Sequence, residues 1–237
     1  MEPYIGITGV QFREEVSQIG ERINTKNIPK IAYGVVLNLN ETDNNLSSFD
    51  KVNEVVYAVK QLSLSCCLTI HLNGWNNLLG NEEVINRVCS IGGSPWLQLN
   101  GFDWRCSTFM KIKGSLPTAN LILPYNAMRT KLENCLNLLF LLDKRTEMIL
   151  IDQSEGRGCR LNIPKSISLV KIIRARCPDL SIGLAGGLGL GLSQSDLALL
   201  RQIQPTSVDA ESGLYGEAGL DLKSVFYYFD QMYKIWS

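Results

Sequence analysis

Three side chains of this sequence are suited to moving a proton. Asp152 ends one short apolar run, Asp209 lies within another, and His71 is the only histidine in 237 residues. Carboxylate and imidazole groups are common general acids and bases in enzymes. We therefore predict Asp152, Asp209 and His71 as catalytic residues. Two alternatives stay open: Asp209 could instead orient a loop, and His71 could pack in the core.

A glycine-rich stretch, IGLAGGLGLG (182–191), suggests a second kind of chemistry. Four of its last six residues are glycine, and it begins with a short apolar run. Glycine is used where a backbone turns sharply or approaches another group closely. Backbone N–H groups clustered at the start of a helix bind phosphate. The stretch therefore predicts either a phosphate cradle or a glycine-rich turn.

Side-chain amides recur at the ends of neighbouring apolar runs, at Asn38, at Asn73, and at Gln98 with Asn100. Successive side chains of a strand point to opposite faces, so Asn73 shares a face with His71, and Asn100 with Gln98. Polar groups repeated on one face predict a hydrogen-bonding pocket for a substrate. For Asn73 and Asn100, each followed by glycine, a simple turn is the alternative.

The runs that carry these residues alternate with helical patterns along the chain. Eight of them are predicted strands: YIGIT (4–8), IAYGVVL (31–37), CLTIHL (67–72), WLQL (96–99), NLILP (120–124), MILID (148–152), SIGLA (181–185) and SVDA (207–210). Such alternation predicts a parallel sheet. We predict an α/β protein, a single (β/α)₈ TIM barrel over residues 1–237, with an open doubly wound sheet as the alternative. Barrel enzymes bind substrates at the carboxyl ends of the strands.

Between the strands, apolar residues recur at spacings of three and four, as in amphipathic helices. The clearest examples are FREEVSQIGERI (12–23), NEEVINRVCSI (81–91), NAMRTKLENCLNLLFLL (126–142), PKSISLVKIIRARC (164–177), SDLALLRQI (195–203) and DLKSVFYYFDQMY (221–233). Asn81 and Pro164 mark two helix starts, and Ser193 or Ser195 marks a third. The polar stretch NLNETDNNLSS (38–48) predicts a loop. The aromatic residues of the last helix predict core packing or a homodimer face.

Composition argues against several classes of function. Lys plus Arg and Asp plus Glu are both 23, so the formal net charge is zero, and no basic cluster predicts nucleic-acid binding. No apolar run approaches the roughly 18 residues of a membrane span, and the first residues lack a signal-peptide pattern. We therefore expect a cytoplasmic protein. Seven cysteines without C-x-x-C spacing, and a single histidine, predict neither disulfides nor a metal site.

Six short motifs, in chain order, resemble those of phosphoribosylanthranilate isomerase, a (β/α)₈ enzyme of tryptophan synthesis. They are IGIT (5–8), LQLNG (97–101), LIDQSEGRG (150–158), LAGGL (184–188), VDAESG (208–213) and GLD (219–221). The resemblance implies that Gly186, Gly187, Ser212 and Gly213 hold a phosphate, helped by the helix that begins near Ser193. Independently, barrels often bind phosphate with the loops after strands seven and eight.

The catalytic side departs from that family. Its members use a cysteine of the first motif as general base, and Ile5 occupies that position here. Asp152 matches the family's general acid. Asn100 replaces a histidine, the loop after strand two carries no basic residue, and the lysine expected before Asp221 is missing. Because each acid–base group contributes typically about 10²–10⁴-fold, we do not expect an efficient isomerase of that family's substrate.

Two functions of different class fit these residues. The first is an isomerase- or lyase-type enzyme acting, without a cofactor, on a small phosphorylated ligand such as a sugar phosphate or nucleotide. Arg157 would then meet a second anionic group, or else remain a solvated loop charge. The second is a non-catalytic protein that binds or senses a phosphorylated ligand. Dinucleotide binding is not predicted, because GGLGLG departs from G-x-G-x-x-G spacing. A metal site from Asp152, Asp209 and Glu211 lacks recognisable ligand spacing.

Overall fold

Eight parallel strands close into a barrel in chain order, with β8 paired to β1. The computed structural model describes residues 2–23, 30–39, 45–62, 66–91, 95–142, 146–152, 161–188, 192–217 and 219–236. The strands are β1 Tyr4–Thr8, β2 Lys30–Asn38, β3 Cys66–Asn73, β4 Trp96–Leu99, β5 Asn120–Tyr125, β6 Glu147–Asp152, β7 Ser181–Ala185 and β8 Ser207–Ala210. The predicted TIM barrel is confirmed, and the open sheet is wrong.

A helix follows each strand in the described part of the chain. The helices are α1 Arg13–Ile23, α2 Asn45–Gln61, α3 Glu82–Ser90, α4 Cys106–Ser115, α5 Leu132–Leu138, α6 Ile163–Arg176, α7 Gln194–Ile203 and α8 Leu222–Met232. Asn81 caps α3 as predicted, whereas Asn162 caps α6 and Pro164 lies in its first turn. Ser193, rather than Ser195, caps α7. A short antiparallel pair, β9 Tyr215–Gly216 and β10 Gly219–Leu220, lies between β8 and α8.

Alternate residues of the strands pack in two separate layers. Ile5 and Ile7 of β1 are fully buried in the outer layer, which also holds Val16 and Ile19 of α1. Inward-facing residues form a smaller apolar cluster inside the barrel: Tyr4, Ala32, Ile122, Met148, Leu150 and Ala185. The inward positions nearest the carboxyl ends of the strands are mainly polar, and these positions line the candidate site.

The connection between β5 and α5 differs from the predicted helix over 126–142. Asn126 folds the chain into a turn, because its Oδ1 accepts a hydrogen bond from the Met128 N–H at 2.7 Å. Its backbone oxygen also accepts bonds from the N–H groups of Arg129 and Thr130. Asparagine favours such turns over helix interiors because its side chain competes for backbone donors. The turn brings Asn126 and Arg129 to the cavity.

Two other regions refine the sequence predictions. The predicted loop at 38–48 is too long, because α2 already begins at Asn45, and residues 40–44 lie outside the described residues. On α8, Val225, Tyr228 and Phe229 are buried in the core, while Tyr227 is exposed, and the homodimer stays a prediction. Within the described ranges, every helix is too short or too polar to cross a membrane.

Candidate active site

The carboxyl ends of the strands surround a cavity with two connected compartments. The inner compartment lies over β1, β3 and β6–β8, and includes Thr8, His71, Gly186, Gly187, Asp209 and Ser212. The outer compartment, about 630 Å³, lies over β3–β6 and includes Asn73, Asn100, Phe102, Asn126 and Arg129. Gln98, Asp152 and Glu211 line both compartments. The outer volume is typical of a small-molecule site.

Asp209 and Asp152 face each other across one small residue. In the register of the barrel, Asp152 pairs with Ala185 of β7, and Ala185 pairs with Asp209 of β8. Two strand spacings separate the aspartate Cα atoms by roughly 10 Å. Because both side chains line the inner compartment and alanine is small, the two carboxyl groups open onto the same space.

The Asp209 carboxyl group is buried inside the barrel wall. Its Oδ2 accepts a hydrogen bond from Ser207 Oγ at 2.8 Å, and a side chain at Gly6 would overlap its Oδ1. Glycine at position 6 therefore makes room for this carboxyl group. Burial raises the pKa of Asp209 from 3.8 to about 7, an effect that Asp152 increases and the Ser207 bond opposes. Asp209 can therefore hold a proton near neutral pH.

A third carboxyl group, that of Glu211, stands at the rim. Glu211 is exposed on one side, and it lines both compartments together with Asp152. Loss of hydration raises the pKa of Glu211, and the charge of Asp152 raises it further. Three carboxyl groups, those of Asp152, Asp209 and Glu211, therefore line the inner compartment.

His71 lies in the inner compartment, yet its ring is buried. Its Nε2 lies 3.2 Å from Thr8 Oγ1 and 3.4 Å from Thr69 Oγ1. A side chain at Gly34 would come within 2.9 Å of the same nitrogen, so glycine is needed there. Burial lowers the pKa of His71 to about 4. At pH 7 the ring is neutral and only weakly basic, so His71 fits a hydrogen-bonding role better than that of the main base.

The predicted amides form a hydrogen-bonded row, which we call the amide ladder: Gln98, Asn100 and Asn73. Gln98 Nε2 donates to Asn100 Oδ1 at 2.9 Å, and Asn100 Nδ2 donates to Asn73 Oδ1 at 2.9 Å. Gln98 is buried, while the two asparagines are half-buried. Asn38 pairs with Asn73 in the register of β2 and β3, but Val36 is the β2 residue that lines the cavity among the described residues.

The glycines after β7 lie where the sequence predicts an anion cradle. Gly186 and Gly187 have φ values of 95° and 62°, a left-handed region that favours glycine. Both face the inner compartment, opposite Ser212 and Gly213 in a short 3₁₀ turn after β8. These four residues are brought together at one end of the cavity.

Helix α7 contributes less to this cradle than the sequence predicts. Ser193 and Asp196 form a capping box, in which Asp196 N–H donates to Ser193 Oγ and Ser193 N–H donates to Asp196 Oδ2. The box uses donors that would otherwise face an anion, and it places a carboxylate at the positive end of the helix. The sequence signal for this capping box is an acidic residue, Asp196, three positions after the capping serine.

Two further sequence predictions concern Ile5 and Arg157. Ile5, at the family's cysteine position, packs in the outer layer, whereas Tyr4, Gly6 and Thr8 face inward. A side chain at position 5 therefore does not line the cavity. Arg157 lies outside the described residues.

Sequence reasoning missed several lining residues. Thr8 lines the cavity because the residues of a strand alternate between its two faces. Gly6 faces inward against Asp209, so Thr8, two positions later, also faces inward. Arg129 is the one lysine or arginine that lines either compartment within the described chain. The sequence signal for the position of Arg129 is Asn126, because asparagine favours a turn. Among the residues that the structure describes, no three cysteine, histidine or acidic side chains converge as metal ligands.

Comparisons with known proteins show the fold. No family model and no curated protein matches the sequence. Phosphoribosylanthranilate isomerase from Pyrococcus furiosus is 14% identical, with 97% of this chain and 98% of that chain covered and a TM-score of 0.55. A tryptophan synthase chain from M. tuberculosis is 12% identical over 98% and 92%, with a TM-score of 0.62. The carboxyl transferase domain of Rhizobium etli pyruvate carboxylase is 11% identical over 98% and 48%, with a TM-score of 0.60.

Proposed function

We propose that this protein is an isomerase- or lyase-type enzyme that moves a proton on a small phosphorylated ligand. Asp209 and Asp152 carry out the proton transfer, and the loops after β7 and β8 hold the phosphate. The observation that most directly supports this proposal is the buried Asp209 carboxyl group. Its pKa is raised to about 7, and it faces Asp152 across Ala185.

The two aspartates can serve as an acid and a base in one reaction. The protonated Asp209 donates its proton to one atom of the ligand, and the carboxylate of Asp152 accepts a proton from another. Proton number is conserved overall, as an isomerisation or an elimination requires. General acid–base catalysis works best when the pKa of the acid lies near the working pH, and Asp209 meets that condition.

Two observations support a phosphate site at the loops after β7 and β8: the place of these loops in the barrel and the backbone conformation of their glycines. Exposed backbone N–H groups in glycine turns at the carboxyl ends of barrel strands commonly bind anions. Gly186 and Gly187 have the left-handed conformation beside Ser212 and Gly213. A proton on Asp209 also removes one negative charge from the compartment that would receive the phosphate. The chemistry and the binding are therefore compatible near neutral pH.

A thermal-shift experiment tests the phosphate end. We expect inorganic phosphate, ribose 5-phosphate or a nucleoside monophosphate at 100 times its Kd to stabilise the protein by about 2.7 kcal/mol, or roughly 5–10 °C. Unphosphorylated ribose should give no shift. Gly187→Glu and Ser212→Asp should both remove the shift, because each places a carboxylate in the cradle.

Gly80→Glu is the matched control for this experiment. Gly80 also has a positive φ, at 85°, and nothing lies within 4 Å of an added side chain. The variant therefore carries similar backbone strain and the same added charge outside the cavity. If Gly187→Glu does not fold, Ser212→Asp still tests the phosphate site. Phosphate binding that survives both cavity variants, or no shift with any phosphorylated probe, would overturn the proposed phosphate site.

A further inference from the structure

The outer compartment differs in chemistry from the inner one. Its polar wall is the amide ladder, continued by Asn126 beside it. Its apolar wall contains Phe102 and Pro124. Phe102 packs at 5.7 Å from the Trp75 ring and 5.6 Å from the Trp104 ring, which holds it in place. The compartment thus combines a row of amides with a small apolar area at Phe102 and Pro124.

The amide ladder retains hydrogen-bonding capacity for a ligand. A carboxamide has two N–H donors and an oxygen with two acceptor sites. The ladder uses one donor from Gln98 and one from Asn100. The ladder therefore leaves one N–H of Gln98, one N–H of Asn100 and both N–H groups of Asn73 unused by its own bonds, together with amide oxygen lone pairs. A group that carries a donor and an acceptor side by side matches such a row.

The charges around this compartment oppose an anion. Asp103, Asp152 and Glu211 line it, and Arg129 is its one lysine or arginine within the described ranges. Asp103 is already bonded to Arg105 and to Thr108, at 3.0 Å for the latter. A carboxylate entering here would approach Asp152 and Glu211 without the backbone N–H groups of the β7 and β8 loops, which in our proposal offset these charges for a phosphate in the inner compartment. A neutral group meets the amides without that cost.

We propose that the outer compartment binds a neutral carboxamide or lactam group of the ligand and discriminates against a carboxylate. The inference rests on the proposed function, since it makes this group the far end of the ligand whose phosphate occupies the inner compartment. Gln98, Asn100 and Asn73 are the specificity-determining residues. The substrate is then a phosphorylated molecule with an uncharged amide-type end.

Benzamide and benzoate form a matched pair of probes, equal in shape and different in charge. We expect benzamide to bind the full chain with a Kd at least roughly tenfold lower than that of benzoate, measured by ligand-observed NMR titration at pH 7. Asn100→Leu should remove this preference, because it deletes both ladder bonds. Asn73→Leu is a second variant that leaves the Gln98–Asn100 bond in place. Asn134→Leu, on the exposed side of α5, is the control and should keep the preference.

Equal affinity for the two probes, tighter binding of benzoate, or an undiminished preference in both ladder variants would overturn the inference. Phosphate binding is measured separately on the same samples. Loss of the phosphate site with benzamide selectivity intact would contradict the proposed function alone. Phosphate binding with no selectivity between the probes would contradict the amide subsite alone.

Discussion

Replacing Asp209 with asparagine lowers kcat/KM by about 10²–10⁴-fold on the phosphorylated substrate that the binding screen identifies. Asparagine has the same size, and its Oδ1 can accept the hydrogen bond that Ser207 Oγ gives to Asp209. It cannot release a proton, so the transfer step loses its acid. Steady-state kinetics at pH 7 measure the effect, and the loss falls mainly on kcat.

Two other aspartates provide the comparison. Asp152→Asn should reduce kcat by a similar factor, because each aspartate performs one half of the transfer. Asp230→Asn, on an exposed position of α8 outside the cavity, should leave kcat unchanged. Unchanged turnover in Asp209→Asn would show that Asp209 is not the proton carrier. Binding of substrate without turnover by the wild-type chain would instead favour a binding or sensing protein.

The second large effect concerns stability. Asp209 has a higher pKa in the folded state, about 7, than the ordinary 3.8, so the folded protein binds more protons between these values. The contribution of this group to the free energy of unfolding therefore falls as the pH rises, by about 4 kcal/mol between roughly pH 4 and pH 7. Asp209→Asn should remove this loss and stabilise the protein at pH 8.

His71 acts in the opposite direction over part of the same range. Its pKa is lower in the folded state, about 4, so its contribution to stability rises with pH up to about 6.5. The wild-type profile therefore shows the two effects partly cancelled. Urea unfolding of the wild type and Asp209→Asn from about pH 4 to pH 8 isolates the aspartate, because His71 is common to both. A constant difference between the two curves would mean that Asp209 titrates normally.

Together these predictions mean that the Asp209 carboxyl group raises activity and lowers the stability of the folded protein. The carboxyl group that supplies the proton costs stability whenever it is ionised, because it is buried against Gly6 in the barrel wall. Functional sites commonly retain such unfavourable groups. A single substitution should thus separate the two properties, lowering turnover and raising the free energy of unfolding above neutral pH.

The sequence predicted the strands well because each is a short apolar run with clear ends. Asp152 and Asp209 were identified for the same reason, since a polar residue near the end of such a run is conspicuous. Strand alternation also predicted that Gln98 shares a face with Asn100, and the hydrogen bond between them agrees with this. These properties depend on neighbouring residues alone.

Other features depend on contacts between distant residues. The bond between Asn100 and Asn73 joins two strands, and the direction in which β1 turns its side chains depends on its pairing with β2 and β8. Motif matching placed the family's cysteine at Ile5, but a shift of one residue reverses the face of a strand. The raised pKa of Asp209 likewise follows from burial, which no local pattern reveals.

The helix predicted over 126–142 shows how local competition limits sequence reasoning. Apolar spacing in this stretch favours a helix, and α5 does form over Leu132–Leu138. At its start, the Asn126 side chain takes the Met128 N–H and a turn forms instead. That turn supplies the one lysine or arginine among the described lining of the cavity, Arg129.

The most direct test of the account is the titration of the Asp209 carboxyl group itself. Carbon-13 NMR of aspartate-labelled protein follows each carboxyl carbon with pH, and the Asp209→Asn variant assigns the signal. We predict a transition near pH 7 for Asp209. A transition near the ordinary aspartate value of about 4 would show a carboxylate that is fully ionised at neutral pH, and it would contradict the proposed acid.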